Sequence, residues 1–101
     1  MKDFVKVTKA LSETNRVKIM KLLQNKTMYV NEIHEAICLS QSTVSNHLRI
    51  LHEAGLVVFS KEGRRVNYRL ADGSANPYAA NLLGTLRCLL GDDLPIQDRN
   101  W

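Results

Sequence analysis

The segment from Ser40 to Gly55 holds the side chains of this chain that are best suited to recognising another molecule. Val44, Leu48 and Leu51 recur at helical spacing and predict the buried side of a helix. The opposite side carries amide, hydroxyl and guanidinium groups and has no acid before Glu53. Because an ordinary solvated helix face mixes both signs of charge, this face indicates a surface that binds a partner.

Double-stranded DNA is the partner that this chemistry fits. A helix enters the major groove, where Arg can pair with guanine and Asn or Gln with adenine. Hydroxyl groups suit phosphates or base edges, and the N-terminus of a helix favours a phosphate. The residues that we expect to enter the groove are Gln41, Ser42, Thr43, Ser45, Asn46 and Arg49.

A β-hairpin is predicted directly after this helix. The segment 56–61 is rich in β-branched and aromatic residues, and the segment 65–70 alternates polar with apolar residues. Arg64 and Arg65 lie at the predicted tip, with Lys61 close by. We expect these cations to bind the DNA backbone or the minor groove beside the helix.

Apolar periodicity in the first third of the chain predicts the elements that support this surface. A short amphipathic helix is expected at about 3–11, and a second helix capped by Ser12 that stops near Asn25. The segment 28–30 is long enough only for a strand stub, and Asn31 is expected to cap a third helix.

The complete order is helix, helix, stub, helix, helix, hairpin, helix. In the third helix Ala36 is expected to face inward, and Pro77 starts the last helix. This order predicts a mainly α fold with a small β-hairpin, the winged helix-turn-helix. Residues 1–91 are expected to form one DNA-binding and dimerisation domain, and residues 92–101 a loosely ordered tail.

Composition sets broad limits on the function. The chain has 101 residues, 45% of them hydrophobic, and a formal net charge of +4. Residues 1–71 hold twelve basic and six acidic side chains, so the positive charge lies in the part with the recognition motif. No apolar run approaches the roughly 20 residues of a membrane span. The N-terminus lacks the apolar stretch of a signal peptide, so we expect a cytoplasmic protein.

The two cysteines, Cys38 and Cys88, permit two interpretations. They could form a thiol sensor, through either a reversible disulfide or a persulfide pair, which requires Cα atoms within roughly 7 Å of each other. Alternatively, they are small buried apolar residues, as free cysteines often are.

Neither a metal site nor a catalytic site is predicted, and no cofactor is expected. His47 and His52 are five residues apart, which places them on different sides of a helix, and His34 has no partner at helical spacing. The chain also lacks a phosphate-binding glycine loop and a nucleophile motif.

Taken together, the motifs resemble the ArsR/SmtB family of bacterial winged-helix repressors. The resemblance extends over nearly the whole chain and is carried by the stretches Ala10–Ile19, Leu39–Leu48, Leu51–Val57 and Glu62–Leu70. The stretch Asn76–Ala80 is similar to the arsenic-repressor branch in particular.

The resemblance implies a homodimer built from the first and last helices, which represses transcription until an inducer releases it from operator DNA. It also implies a backbone contact by His47. The cysteines of the family's arsenic sensors match Tyr29 and Asn31, and the last helix lacks the histidine of its zinc sensors. The inducer therefore stays unknown, with a thiol-reactive compound or a metal(loid) as candidates. Two alternatives remain: a constitutive winged-helix repressor without an inducer site, and a winged-helix module that binds proteins.

Overall fold

Helices and strands follow one another in the predicted winged helix-turn-helix order. The computed structural model describes residues 2–72 and 77–90, without the side chains of residues 2, 3, 25, 77 and 86–90. The elements are α1 (Lys2–Ala10), α2 (Thr14–Asn25), β1 (Met28–Tyr29), α3 (Val30–Ile37), α4 (Gln41–Glu53), β2 (Val57–Glu62), β3 (Arg65–Leu70) and α5 (Pro77–Leu90). Within the described ranges, no helix is long and apolar enough to cross a membrane.

The strand stub has a structural role that its length did not reveal. β1 pairs antiparallel with β3, so the sheet has three strands in the order β1-β3-β2. Met28 lies opposite Tyr68, and Tyr29 lies opposite Asn67. The hairpin, which is the wing of this fold, is thereby joined to the residues that immediately precede α3.

The core lies between the helices and the base of the sheet. Val44, Leu48 and Leu51 of α4 are completely buried, as their spacing predicted. They pack with Ile19 of α2 and Ile33 of α3. The prediction for Ala36 was wrong: it is exposed, because the apolar residues of this short helix that pack against the core are Val30, Ile33 and Ile37.

Two predicted helix caps were also wrong. α2 is capped by Glu13, whose carboxylate accepts a hydrogen bond from the backbone N–H of Arg16 at 3.3 Å. The Ser12 hydroxyl instead donates to Lys9 O at the end of α1. α3 begins at Val30, with Tyr29 as N-cap, since Glu32 Oε1 accepts the backbone N–H of Tyr29 at 3.0 Å.

The end of α4 is closed by a glycine, as the sequence predicted. Gly55 has a φ of 80°. Its N–H donates to His52 O at 3.0 Å, and the N–H of Leu56 donates to Leu51 O at 3.0 Å. These two bonds form a Schellman motif, and its apolar contact comes from Leu51 and Leu56, both completely buried. The end of α4, the recognition helix of this fold, is therefore fixed.

Cys38 ends α3 in the same left-handed conformation without being a glycine. Its φ is 59° and its ψ is 41°, and the N–H of Leu39 donates to His34 O at 3.2 Å. In this conformation the Cβ lies close to the following carbonyl oxygen, so the conformation is less favourable for any residue other than glycine.

Replacing Cys38 by glycine should therefore stabilise the fold. Relief of the left-handed strain outweighs the added entropy of the unfolded chain, so we expect a gain of about 0.5 kcal/mol in the free energy of unfolding. Urea denaturation at one protein concentration measures it. Cys38→Ser is the control because it keeps the Cβ; a glycine variant less stable than the serine variant would contradict the prediction.

Candidate DNA-binding interface

The exposed side of α4 carries most of the residues predicted to contact DNA. Gln41, Ser42, Thr43, Ser45, Asn46 and Arg49 are all exposed. The buried residues of α4 hold the helix against α3, so this polar side is presented on a rigid support.

Arg49 is tethered along its own helix. Its Nη2 donates to Asn46 Oδ1 at 2.8 Å, and its Nη1 donates to Glu53 Oε2 at 3.2 Å. The Arg49 and Glu53 side chains are 58% and 56% exposed, so solvent screens the ion pair and it is worth little. Arg49 can therefore exchange these partners for a guanine at small cost.

The start of α4 is organised by Ser40. Its Oγ accepts the backbone N–H of Thr43 at 3.2 Å and donates to Thr43 Oγ1 at 2.8 Å. This cap leaves the N-terminus of α4 as a defined end with a partial positive charge, a favourable place for phosphate. Thr43 thus belongs to the cap as well as to the exposed surface.

His47 lies in a network that joins three helices, with a side chain only 12% exposed. Its Nε2 is 3.5 Å from Glu13 Oε2, and its Nδ1 is 3.4 Å from Arg16 Nη1. Arg16 also donates from Nε to Ala10 O at 2.7 Å and from Nη2 to Lys9 O at 3.3 Å. This geometry supports a positioning role for His47; its backbone contact with DNA stays a prediction.

A polar cleft of about 340 Å³ lies between the wing tip and the first turns of α3 and α4. Its lining residues are Tyr29, Val30, Asn31, Gln41, Arg64, Arg65 and Val66. Three residues that the sequence assigned to DNA contact, Gln41, Arg64 and Arg65, therefore meet at one place.

Tyr29 holds the wing tip in position. The Arg65 guanidinium lies over the Tyr29 ring at 3.7 Å from its centroid, and the Tyr29 hydroxyl donates to Glu62 Oε1 at 2.7 Å. Asn67 Nδ2 donates to the same carboxylate oxygen at 3.2 Å. The bond to Glu62 raises the pKa of Tyr29 and, with the bond from Asn67, lowers the pKa of Glu62. Donor and acceptor therefore keep these protonation states at neutral pH.

Lys61 lies on the other face of the hairpin. Lys61 pairs with Val66 and Glu62 pairs with Arg65, and successive strand residues alternate between faces. Lys61 therefore shares a face with Phe59, whose ring packs 5.0 Å from the His52 ring. Lys61 is not among the residues that line the cleft, although its strand partner Val66 is, and its contact with DNA stays a prediction.

The structure describes the side chain of Cys38 but not that of Cys88. Cys38 is exposed in the turn between α3 and α4, and its thiol lies 3.9 Å from Glu35 O. Cys88 lies within α5, and its side chain is outside the described set, as is the predicted tail at 92–101. Among the described residues, no group of three or more His, Cys, Asp or Glu side chains could hold a metal ion.

Sequence reasoning missed Arg16 and the pair of Tyr29 and Glu62 as parts of this interface. Arg16 lies in the first turn of α2, three residues after the N-cap Glu13, and glutamate is not among the residues whose presence signals a helix cap. No local pattern marks Tyr29 or Glu62, because their contact depends on the pairing of β1 with β3.

A helix-turn-helix followed by a basic two-stranded wing defines the winged helix-turn-helix class. Residues 13–58 match the arsR family of bacterial regulatory proteins. HlyU from Vibrio cholerae N16961 superimposes with a TM-score of 0.71 at 30% identity, over 86% of this chain and 90% of HlyU. The chain therefore belongs to the arsR family.

Two further relatives are similar over much of the chain. The transcriptional regulator CmtR from Mycobacterium bovis is 38% identical over 78 residues, which are 77% of this chain and 63% of CmtR. This chain thus spans somewhat less than two thirds of that relative. The homodimeric winged helix-turn-helix DNA-binding domain Mb0332 from Mycobacterium bovis has a TM-score of 0.73 at 29% identity, over 88% of this chain and 79% of Mb0332.

Proposed function

We propose that this chain is a homodimeric transcriptional repressor that binds operator DNA until an inducer releases it, and that it acts in the cytoplasm. The observation that carries the proposal is the exposed polar side of α4 beside the basic wing tip, with Gln41, Arg64 and Arg65 around one cleft. Repression by relatives such as the repressor SmtB of Mycobacterium tuberculosis supports the same function. Binding alone accomplishes it, so no catalytic residue is required.

The dimer is proposed to form through α1 and α5. Phe4 and Val5 on α1 are 45% and 44% exposed, and Tyr78 on α5 is 38% exposed. The rings of Phe4 and Tyr78 meet edge to face at 5.4 Å, so the two helices present one apolar surface. A second copy would bury it, as expected of a small domain with a thin core.

A footprint on the operator tests this proposal. Two-fold symmetry requires two half-sites about one helical turn, roughly 10 bp, apart. Hydroxyl-radical protection on DNA from upstream of the chain's own gene should show two such patches at a stoichiometry of two chains per site. A single protected patch bound by one chain would refute the dimeric arrangement.

For the inducer we propose a thiol-reactive compound or a metal(loid) that acts at Cys38, together with Cys88. Cys38 is exposed, and it occupies a strained backbone position in the turn that leads into α4. A modification there acts directly on the placement of the recognition helix. The name of one relative, a CadC homolog of Staphylococcus aureus, refers to cadmium resistance.

Removal of the thiols should abolish release from DNA. Bound wild-type protein is treated with cadmium, arsenite, peroxide or polysulfide, and release is followed by fluorescence anisotropy. We expect at least one compound to release the wild type from DNA. The double variant Cys38→Ser/Cys88→Ser should bind with wild-type affinity before treatment and stay bound after it. Release of the double variant at wild-type concentrations of the same compound would exclude the thiols as the sensor.

A further inference from the structure

The cleft between the wing tip and the two helix starts has the chemistry of an anion site. Its lining includes two guanidinium groups, Arg64 and Arg65, and three uncharged polar side chains, Tyr29, Asn31 and Gln41. None of the lining residues is an acid. Two carboxylates lie close by: Glu62 accepts bonds from Tyr29 and Asn67, and Glu32 in the first turn of α3 accepts the backbone N–H of Tyr29 at 3.0 Å and lies 3.8 Å from Lys26 Nζ.

Two helix N-termini add donors to the same cleft. Val30 and Asn31 are the first residues of α3, and Gln41 is the first residue of α4. The first N–H groups of a helix have no acceptor within the helix and carry a partial positive charge. The residues at these two helix starts and the two arginines line one volume of about 340 Å³. That volume is large enough for a phosphate group with its hydrating waters, at roughly 30 Å³ per water.

Tyr29 fixes the orientation of the Arg65 guanidinium beside this cleft. Stacking over the ring at 3.7 Å fixes the plane of the Arg65 guanidinium, while the N–H groups on its edge stay able to donate. The hydroxyl of Tyr29 is meanwhile bonded to Glu62, at the other end of the wing turn. Both ends of the turn are thus held by one side chain that precedes α3.

We propose that this cleft binds one phosphodiester group of the DNA backbone, with Arg65 and the start of α3 as its donors and Tyr29 as the positioning residue. The inference rests on the proposed function and adds a contact that fixes the wing relative to the helix-turn-helix. Gln41 belongs to both the cleft and α4, so the bound phosphate would lie directly beside the groove that α4 enters.

Asn31→Asp is the variant that tests the cleft most sharply. An acid in the first turn of α3 favours the helix, so its melting temperature should equal or exceed that of the wild type. The same charge repels a phosphate in the cleft, so affinity for the operator should fall on the order of tenfold. The slope of log K against log salt should also become shallower by close to 0.9, which corresponds to the loss of one phosphate contact. Ala36→Glu adds the same charge at an exposed position of α3 outside the cleft lining and should keep wild-type affinity.

Methylphosphonate substitution identifies the source of the phosphate. Neutralising each operator phosphate in turn should reveal one position per half-site at which the wild type weakens and Asn31→Asp does not. Tyr29→Phe, which keeps the ring, should retain more affinity than Tyr29→Leu, which removes it. If wild type and Asn31→Asp respond alike to every neutralised phosphate, the cleft assignment is wrong although the protein binds DNA.

Free phosphate is the competing source. Inorganic phosphate is titrated while the Asn31 and Arg65 amide signals are followed by NMR. Millimolar binding that is lost in Asn31→Asp, without any sensitivity to operator methylphosphonates, would overturn the assignment to the DNA backbone. Failure of the wild type to bind any duplex would instead count against the proposed function itself.

Discussion

Replacing Arg49 by alanine should weaken operator binding by about 1–3 kcal/mol and relax the preference at one base pair. In the free protein the guanidinium is held at 2.8 Å by Asn46 and at 3.2 Å by Glu53, both on the exposed side of α4. Because these contacts are solvent-exposed, their loss should change the free energy of unfolding by less than about 0.5 kcal/mol. Titration of a set of operators, each with one altered base pair, measures both effects.

Two further variants separate base recognition from charge. Arg49→Lys keeps the charge without the paired donors, so it should keep the salt dependence of the wild type and lose the base preference. Arg69→Ala removes a guanidinium from an exposed position on β3 and should keep the base preference. If Arg49→Ala weakens every sequence equally, Arg49 binds phosphate and reads no base.

Replacing Arg16 by alanine should lower the free energy of unfolding by on the order of 2 kcal/mol. Its guanidinium bonds the last two carbonyls of α1, at Ala10 and Lys9, and lies 3.4 Å from His47 on α4. Loss of this group removes the side-chain donor to Ala10 O, leaves Lys9 O with only its bonds from Ser12, and removes the side-chain link between α1 and α4. We therefore expect operator affinity to fall as well. Urea unfolding at one protein concentration measures the stability.

The conservative variant shows whether geometry or charge matters. A lysine carries its three donors on one nitrogen and cannot reproduce the planar spread of Nε, Nη1 and Nη2 over their three partners, so Arg16→Lys should recover only a minor part of the stability. Arg69→Ala is again the matched control, with little change expected. Full recovery by lysine would show that Arg16 acts through its charge alone.

The sequence predicted the fold because its signals are local. Val44, Leu48 and Leu51 define the buried side of α4, and Ser40 and Gly55 set its two ends. The errors occurred where two groups compete for one role. Glu13 takes the cap that Ser12 could have formed, and Tyr29 takes the one expected from Asn31. Spacing alone does not decide such a competition, because the outcome depends on the backbone path between the elements.

The part of the binding surface that was predicted also rests on local signals. The exposed side of α4 follows from helical periodicity, and the arginines of the wing tip follow from the hairpin pattern. The cleft and the network of Arg16 and His47 join residues that are far apart in the chain, as do the contacts of Tyr29 with Glu62 and Arg65. These depend on strand pairing and helix packing, which no local pattern encodes. Tyr29 in particular was noted only for matching a sensor cysteine position, and the structure shows it holding the wing.

The central claim is that α4 and the wing bind a specific DNA sequence. Fluorescence anisotropy with labelled DNA from upstream of the chain's own gene, against a scrambled duplex of equal length, tests it most directly. The account predicts binding to the upstream DNA at least about 10³-fold tighter than to the scrambled duplex at physiological salt. It also predicts that Arg49→Ala lowers this preference by about 1–3 kcal/mol, roughly 5- to 150-fold, while Arg64→Ala weakens binding to both duplexes. Equal affinity of the wild type for the two duplexes, or no binding to either at low salt, would contradict it.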